Sequence, residues 1–179
     1  MTCEGRILKL KKMDSVTVNY MSRAEIWLLI TTLIYFLMNG AQIFETTVIV
    51  PKWTASPPES FNIFKGKYSP DLKTFWIVLH SIHEVTFIIA IIFCWKLEAT
   101  RDWLLILFAV HFAVRAWTIL YFAPNIIAFQ KIANNINNNG TSLLKRTIRW
   151  RNLNYIRVGL FIAISIMLIP LLVALLNIR

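Results

Sequence analysis

Apolar residues in this chain come in four long blocks separated by short polar stretches. Ile26 to Val50 is the first, ending at Pro51. Thr74 to Trp95 is the second, closed by Lys96; Trp103 to Ala123 is the third, closed by Pro124; Val158 to Leu176 is the fourth. A helix rises about 1.5 Å per residue and bilayer hydrocarbon is about 30 Å thick, so roughly 20 residues suffice to cross it. Trp27, Trp53, Trp76, Trp95, Trp103, Tyr121 and Tyr155 fall at or near the block ends, where amphipathic rings sit level with lipid headgroups. The pattern predicts an all-α fold, an integral membrane four-helix bundle. A basic N-terminal tail covers residues 1–25 and a four-span domain covers residues 26–179, with spans at about 26–50, 74–95, 103–123 and 158–176. An even number of spans puts both termini on one side.

Inside the blocks the polar positions share faces, because side chains three or four residues apart lie on one side of a helix. Span one carries Tyr35, Asn39, Gln42 and Glu45 or Thr46 as a stripe; span two carries His80, His83 and Glu84; span three carries His111, Arg115 and Thr118. Span four brings Asn154 and Arg157 at its start and Ser165 deeper in. All three histidines of the chain are in these runs. An ionisable group at bilayer depth is costly enough that it usually faces the bundle interior and belongs to a site. Counting about 1.5 Å per residue from the side that carries the loops after spans one and three, Glu45 and His80 lie roughly 9 Å deep, Arg115 roughly 12 Å, His83 roughly 13 Å and His111 roughly 18 Å. The cluster is confined to one half of the membrane, which predicts a pocket opening to that side.

Imidazoles and carboxylates from neighbouring helices form a ligand set that Fe, Cu or Zn accept, and bundles build metal sites from inward Glu and His. His80, His83 and His111, with Glu45 or Glu84, are the candidate metal ligands; haem held by two axial histidines is a variant of this reading. Glu84 is otherwise the candidate general base, and Arg115 the group to hold a substrate oxyanion. Asn39, Gln42, Asn154 and Arg157 are assigned to substrate contact. Two plainer readings stand beside the metal site: a metal-free acid–base or binding pocket, and buried ion pairs, Glu84 with Arg115 and Glu45 with Arg157, that only fix helix packing.

With 57% hydrophobic and 16% charged residues, the composition lies outside the usual soluble range. The net charge of +10 does not point to nucleic acid, because Lys and Arg are spread over segments flanking the spans, where they meet anionic lipid. Membrane lipid and an apolar small-molecule substrate are the partners implied. The positive-inside rule is balanced, with eight Lys or Arg on the side of the termini and ten in the other two loops. Arg6, Lys9, Lys11, Lys12 and Arg23 precede the first span, which places the N-terminus in the cytoplasm of a multi-pass cell-membrane protein. Residues 1–24 lack a cleavage pattern, so the first span is its own insertion signal. Cys3 and Cys94 do not suggest a disulfide framework.

Between the spans, Pro51 to Lys73 mixes four prolines with Trp53, Phe61, Phe64 and Tyr68, a loop expected to resist regular helix and to roof the bundle mouth. Leu97 to Asp102 is a tight connection. Ala133 to Thr141 is Asn-rich and expected to turn; Asn139-Gly140-Thr141 is a glycosylation sequon by letter only. Leu143 to Asn154 is expected to be a basic helix lying in the interface. Gly40 is read as a close helix contact and Pro170 as a tolerated kink.

Two segments, Gly40-Ala41-Gln42-Ile43-Phe44-Glu45-Thr46-Thr47-Val48-Ile49-Val50-Pro51 and Trp150-Arg151-Asn152-Leu153-Asn154-Tyr155-Ile156-Arg157, resemble the anthrone-oxygenase-like family of small four-span membrane proteins, most of them without an assigned function. The first is similar to that family's glycine-then-proline ending of span one, the second to its Trp, Asn and Arg pattern leading into the last span. The resemblance implies a membrane oxidoreductase acting on an aromatic or otherwise apolar small molecule, and it singles out the segment of Glu45 together with Asn154 and Arg157. His80, His83, Glu84 and His111 lie outside that pattern. A small proton-linked carrier, with Glu and His relaying protons, and a structural or sensor subunit are the alternatives from other classes.

Overall fold

The computed structural model describes residues 3–67, 69, 71–134 and 140–177, with side-chain detail beginning at Thr17 and omitting residues 134 to 141. Among these residues there are helices and no strands. Helix α1 runs from Cys3 to Phe44, followed by a π-turn over Glu45–Ile49 and the short α2, Val50–Thr54. A 3₁₀ helix at Glu59–Phe64 leads to α3, Leu72–Phe93, and α4, Glu98–Trp117. A second π-turn, Thr118–Phe122, continues α4 into α5, Ala123–Asn134, and α6 spans Gly140–Leu176. Four rods are long and apolar enough to cross a membrane: Thr17–Thr54, Leu72–Phe93, Glu98–Ala133 and Ser142–Leu176.

The integral-membrane four-helix bundle is therefore the architecture, with three boundaries moved. The basic tail continues into span one as a single helix of 42 residues, about 63 Å at the helical rise. The expected interfacial helix at Leu143–Asn154 is instead the upright first part of α6, a helix of 37 residues. Leu143, Thr147, Trp150 and Asn154 repeat every three or four residues and are all buried, so this stretch stands against its neighbours in line with the span. The Pro51–Lys73 loop forms the two short helices named above. Tyr68, Pro70, residues 135–139 of the Asn-rich segment, with Asn139 of the sequon, and Arg179 lie outside the described residues.

Both π-turns precede a proline. Pro51 and Pro124 lack an N–H and their rings crowd the carbonyl four residues back. In each case the residue just before the proline bonds five residues back: Val50 N–H donates to the Glu45 carbonyl, and Ala123 N–H donates to the Thr118 carbonyl. One extra residue per turn makes room for the ring and keeps backbone groups paired, as a bilayer requires. Pro170 sits within α6 without ending it. Asp71 caps α3 by accepting from the Thr74 N–H at 3.1 Å, which holds its carboxyl below the usual range; the cap is present at neutral pH and is lost as pH falls through that lowered value.

The core has two parts. Between the spans, Leu28, Tyr35, Phe87, Leu104, Phe161 and Leu168 are fully buried. At the end away from the termini, Trp53 and Phe61 from the loop pack with Phe122, Phe129 and Trp150 as an aromatic cap, with ring centroids of Trp53 and Trp150 4.9 Å apart. The Trp150 indole N–H donates to the Phe122 carbonyl at 3.3 Å, which satisfies the ring's one polar atom. The cap is the roof expected of the loop. Outward, Leu37, Ile92, Phe112 and Leu120 are each more than 60% exposed, an apolar belt suited to lipid.

Gly40 is not the expected close contact: a Cβ built there meets nothing within 4 Å. Gly40→Ala should therefore raise stability by about 0.5–1 kcal/mol through helix propensity alone. The check is the thermal unfolding midpoint in detergent, where a lowered value would restore the close-contact reading.

Candidate functional site

Under the aromatic cap lies a cleft of about 290 Å³. Its walls are apolar, with Trp53, Phe64, Trp76, Phe122 and Trp150 set among isoleucines, and its polar groups are Gln42, Glu45, Lys73, His80, Arg115, Thr118, Gln130 and Arg157. Five of those eight come from the sequence-predicted set, Thr118 shares the span-three stripe with Arg115, and Lys73 and Gln130 were not among the expected site residues. The π-turns position two of them: Glu45 opens the first turn, and Thr118 opens the second.

Arg157 is the anchored group. Its Nη2 donates to Asn154 Oδ1 at 2.7 Å, its Nη1 donates to Thr118 Oγ1 at 3.4 Å, and its guanidinium lies 4.6 Å from the Phe122 ring centroid. Asn154 in turn donates from Nδ2 to Thr46 Oγ1 at 3.1 Å, which ties α6 to the π-turn of Glu45. Asn154 is absent from the cleft wall, so it acts on Arg157 and not as the substrate contact expected of it. Trp76 and Arg157 line the cleft together with Glu45. Glu45 and Arg157 nevertheless form no close ion pair. Among the described residues those pairs are Arg115 with Glu84 and Arg101 with Asp102, each at 2.9 Å. The Arg157 Nε is buried and unpartnered among the described residues. The cleft thus holds an acid and a base whose hydrogen-bonding capacity is not spent on each other.

Glu84, the candidate general base, does not stand in the cleft. It is engaged by the Arg115 Nε, its side chain is 37% exposed, and it does not line the cleft. Of the two ion pairs expected, Glu84–Arg115 forms, and among the described residues Glu45–Arg157 does not.

The histidines divide. His80 lines the cleft, with its ring 5.5 Å from that of Trp76. His83 and His111 lie behind it, fully buried, with centroids 4.7 Å apart. The Tyr35 hydroxyl and His111 Nδ1 share a hydrogen bond at 3.0 Å, and the Tyr35 ring meets His83 edge-on at 4.2 Å. Asn39 turns away from the cleft, donating to Ser165 Oγ at 2.8 Å and to the Phe161 carbonyl at 3.3 Å. Among the described residues no three His, Cys, Asp or Glu side chains come together in a group that could hold a metal ion. The expected ligand set of His80, His83, His111 and Glu45 is therefore not assembled. His83 and His111 cannot be the two histidines of a haem: nitrogens about 2 Å from one iron on opposite faces are already roughly 4 Å apart before the rings are added, which 4.7 Å between ring centres does not allow.

Tyr35 is the residue missed as part of this arrangement. It was visible only as a member of the span-one stripe, and its link to His111 joins residues 76 positions apart. No family model, curated protein or solved structure matches the chain.

The network at Arg157 makes a stability prediction. Asn154→Leu removes a hydrogen bond to a charged group and should cost about 1.5–3 kcal/mol in unfolding free energy. Adding Arg157→Met should cost less than the sum of the two single changes, and strict additivity would show that the 2.7 Å contact carries no coupling.

Proposed function

We propose that this chain is a multi-pass protein of the cell membrane, with its N-terminus in the cytoplasm, that binds an apolar, aromatic small molecule in the capped cleft and carries out oxidoreductase chemistry on it. The observation that carries the binding reading is that Glu45 and Arg157 share an aromatic-walled cleft without pairing with each other. A flat ring packs well against Trp53, Trp76, Phe122 and Trp150, and a weakly acidic C–H or O–H at its edge meets the polar wall. Glu45 takes the proton, Arg157 balances the negative charge that forms on the substrate, and His80 or Gln42 orients the polar end. The resulting electron-rich anion is the form that passes electrons to an oxidant. With dioxygen, a ring methylene becomes a carbonyl and one molecule of water is formed, so atoms and electrons balance.

The redox class rests on the resemblance to the anthrone-oxygenase-like family at the segment of Glu45 and at Asn154 and Arg157. The role here given to Glu45 replaces the one first assigned to Glu84. A carrier is less well supported, because the layer behind His80, made of Tyr35, His83, His111 and Phe161, is without exposure, and transport needs access from both sides.

The test uses purified protein in lipid nanodiscs with anthrone, which has a ring methylene of this kind. Binding is read from quenching of tryptophan emission, since Trp53, Trp76 and Trp150 line the cleft. Turnover is read from oxygen uptake. Glu45→Gln should keep binding within about twofold and lower the rate by about 100-fold or more, the usual worth of a general base. An unchanged rate in that variant, or no quenching by anthrone or naphthol in the parent, would overturn the reading.

A further inference from the structure

Three residues of the cleft wall face two ways. Ile77 on α3, Ile119 on the second π-turn and Ile127 on α5 line the cleft and are also 55%, 60% and 46% exposed. They flank one seam, between the first half of α3 and the continuous rod of α4, π-turn and α5. That seam is the loose one: α3 packs mainly along α1, α4 packs mainly along α6, and α3 meets α4 only sparingly. Lys73 and Gln130 also line the cleft and are exposed, at the cap end of the same seam, while the remaining walls are shut. Trp53, Phe61 and Phe129 close the cap at no more than 1% exposure, and Tyr35, His83, His111 and Phe161 close the floor. The cleft therefore opens along this one seam, polar at its cap end, where Lys73 and Gln130 stand, and apolar along the span, where Ile77, Ile119 and Ile127 turn to lipid.

We infer that the cleft is loaded sideways from the bilayer, through a portal between α3 and the α4–α5 rod, and that its occupant is a neutral, membrane-dissolved molecule with an apolar body and one weakly acidic polar end. This rests on the binding reading above and gives it a route and a charge class. The rim of Ile77, Ile119 and Ile127 offers nothing to a permanent charge, which would be stripped of water against hydrocarbon. Inside, Glu45 repels an anionic end and Arg157 repels a cationic one. A neutral hydroxyl or enolisable carbonyl satisfies both, donating to the carboxylate and accepting from the guanidinium.

Phosphatidylcholine vesicles holding the full chain are mixed rapidly with anthrone at several lipid volumes, so that its mole fraction in the bilayer and its aqueous concentration vary separately. Tryptophan quenching follows association. The rate should track the bilayer mole fraction; tracking the aqueous concentration would overturn the portal, and this measurement needs no variant. In addition, Ile77→Phe with Ile119→Phe should slow association and dissociation together by about tenfold with Kd little changed, while Ile77→Ala with Ile119→Ala should speed both, since most of the change is in access and not in the bound state. Ile63→Ala, which thins the aqueous side at a residue of the cap that does not line the cleft, should leave the rate as it was; if that variant accelerates binding and the isoleucine pairs do not alter it, loading is through the cap. Quenching with unaltered rates in all isoleucine variants sinks the portal alone, whereas no quenching in the parent chain sinks the binding reading and the portal with it.

Discussion

A backbone N–H or carbonyl left unpaired in hydrocarbon is costly enough to dictate how a span accommodates proline. In this chain Pro51 and Pro124 each stand where a rod leaves the bundle core for the cap, and each is preceded by a turn widened to five-residue hydrogen bonding. The wider turn changes which way the following side chains point. Glu45, Thr118, Ile119 and Phe122 all lie on these two turns, and all line the cleft. The site is thus built where the helices meet the constraint that the bilayer places on their backbones, and the aromatic cap fills the space that the redirected rods leave.

Side chains, not apolar area, fix how the spans sit against each other. Lipid tails are as apolar as leucine, so packing and hydrogen bonds between helices carry the association. Thr31 Oγ1 donates to the Thr86 carbonyl at 2.9 Å, joining α1 to α3; Asn39 donates to Ser165, joining α1 to α6; Tyr35 and His111 join α1 to α4. Much of the polar stripe on span one is accounted for by these contacts. That leaves Gln42 and Glu45, one and two turns further along, to face the cleft.

The spans were legible because apolar block length is a direct reading of membrane thickness, and the depth count correctly brought Glu45, His80 and Arg115 to one level. Azimuth was not legible to the same degree. At about 100° per residue, His80 and His83 differ by about 60° around α3, and His83 and Glu84 by about 100°. In a crowded bundle those angles separate three environments: His80 looks into the cleft, His83 into the dry core, and Glu84 toward Arg115 at the edge. Grouping them as one face was correct as helix geometry and too coarse for ligand geometry. The π-turns compound this, since a turn with an added residue shifts the phase of everything after it, and only the prolines announce it. The continuity of α6 was readable in retrospect from Leu143, Thr147, Trp150 and Asn154, whose period was masked by the basic residues on the opposite side.

Helix α6 carries a mechanical consequence. Trp150 belongs to the cap, Arg157 to the polar wall, Phe161 to the floor and Ser165 to the span-one joint, and all four ride on one uninterrupted rod. The only residue in it that weakens the hydrogen-bond ladder, Pro170, comes after all of them. Trp150, Arg157 and Phe161 therefore stand in fixed register along one strut, so that any lean of that strut would shift its share of the roof, the guanidinium and the floor together.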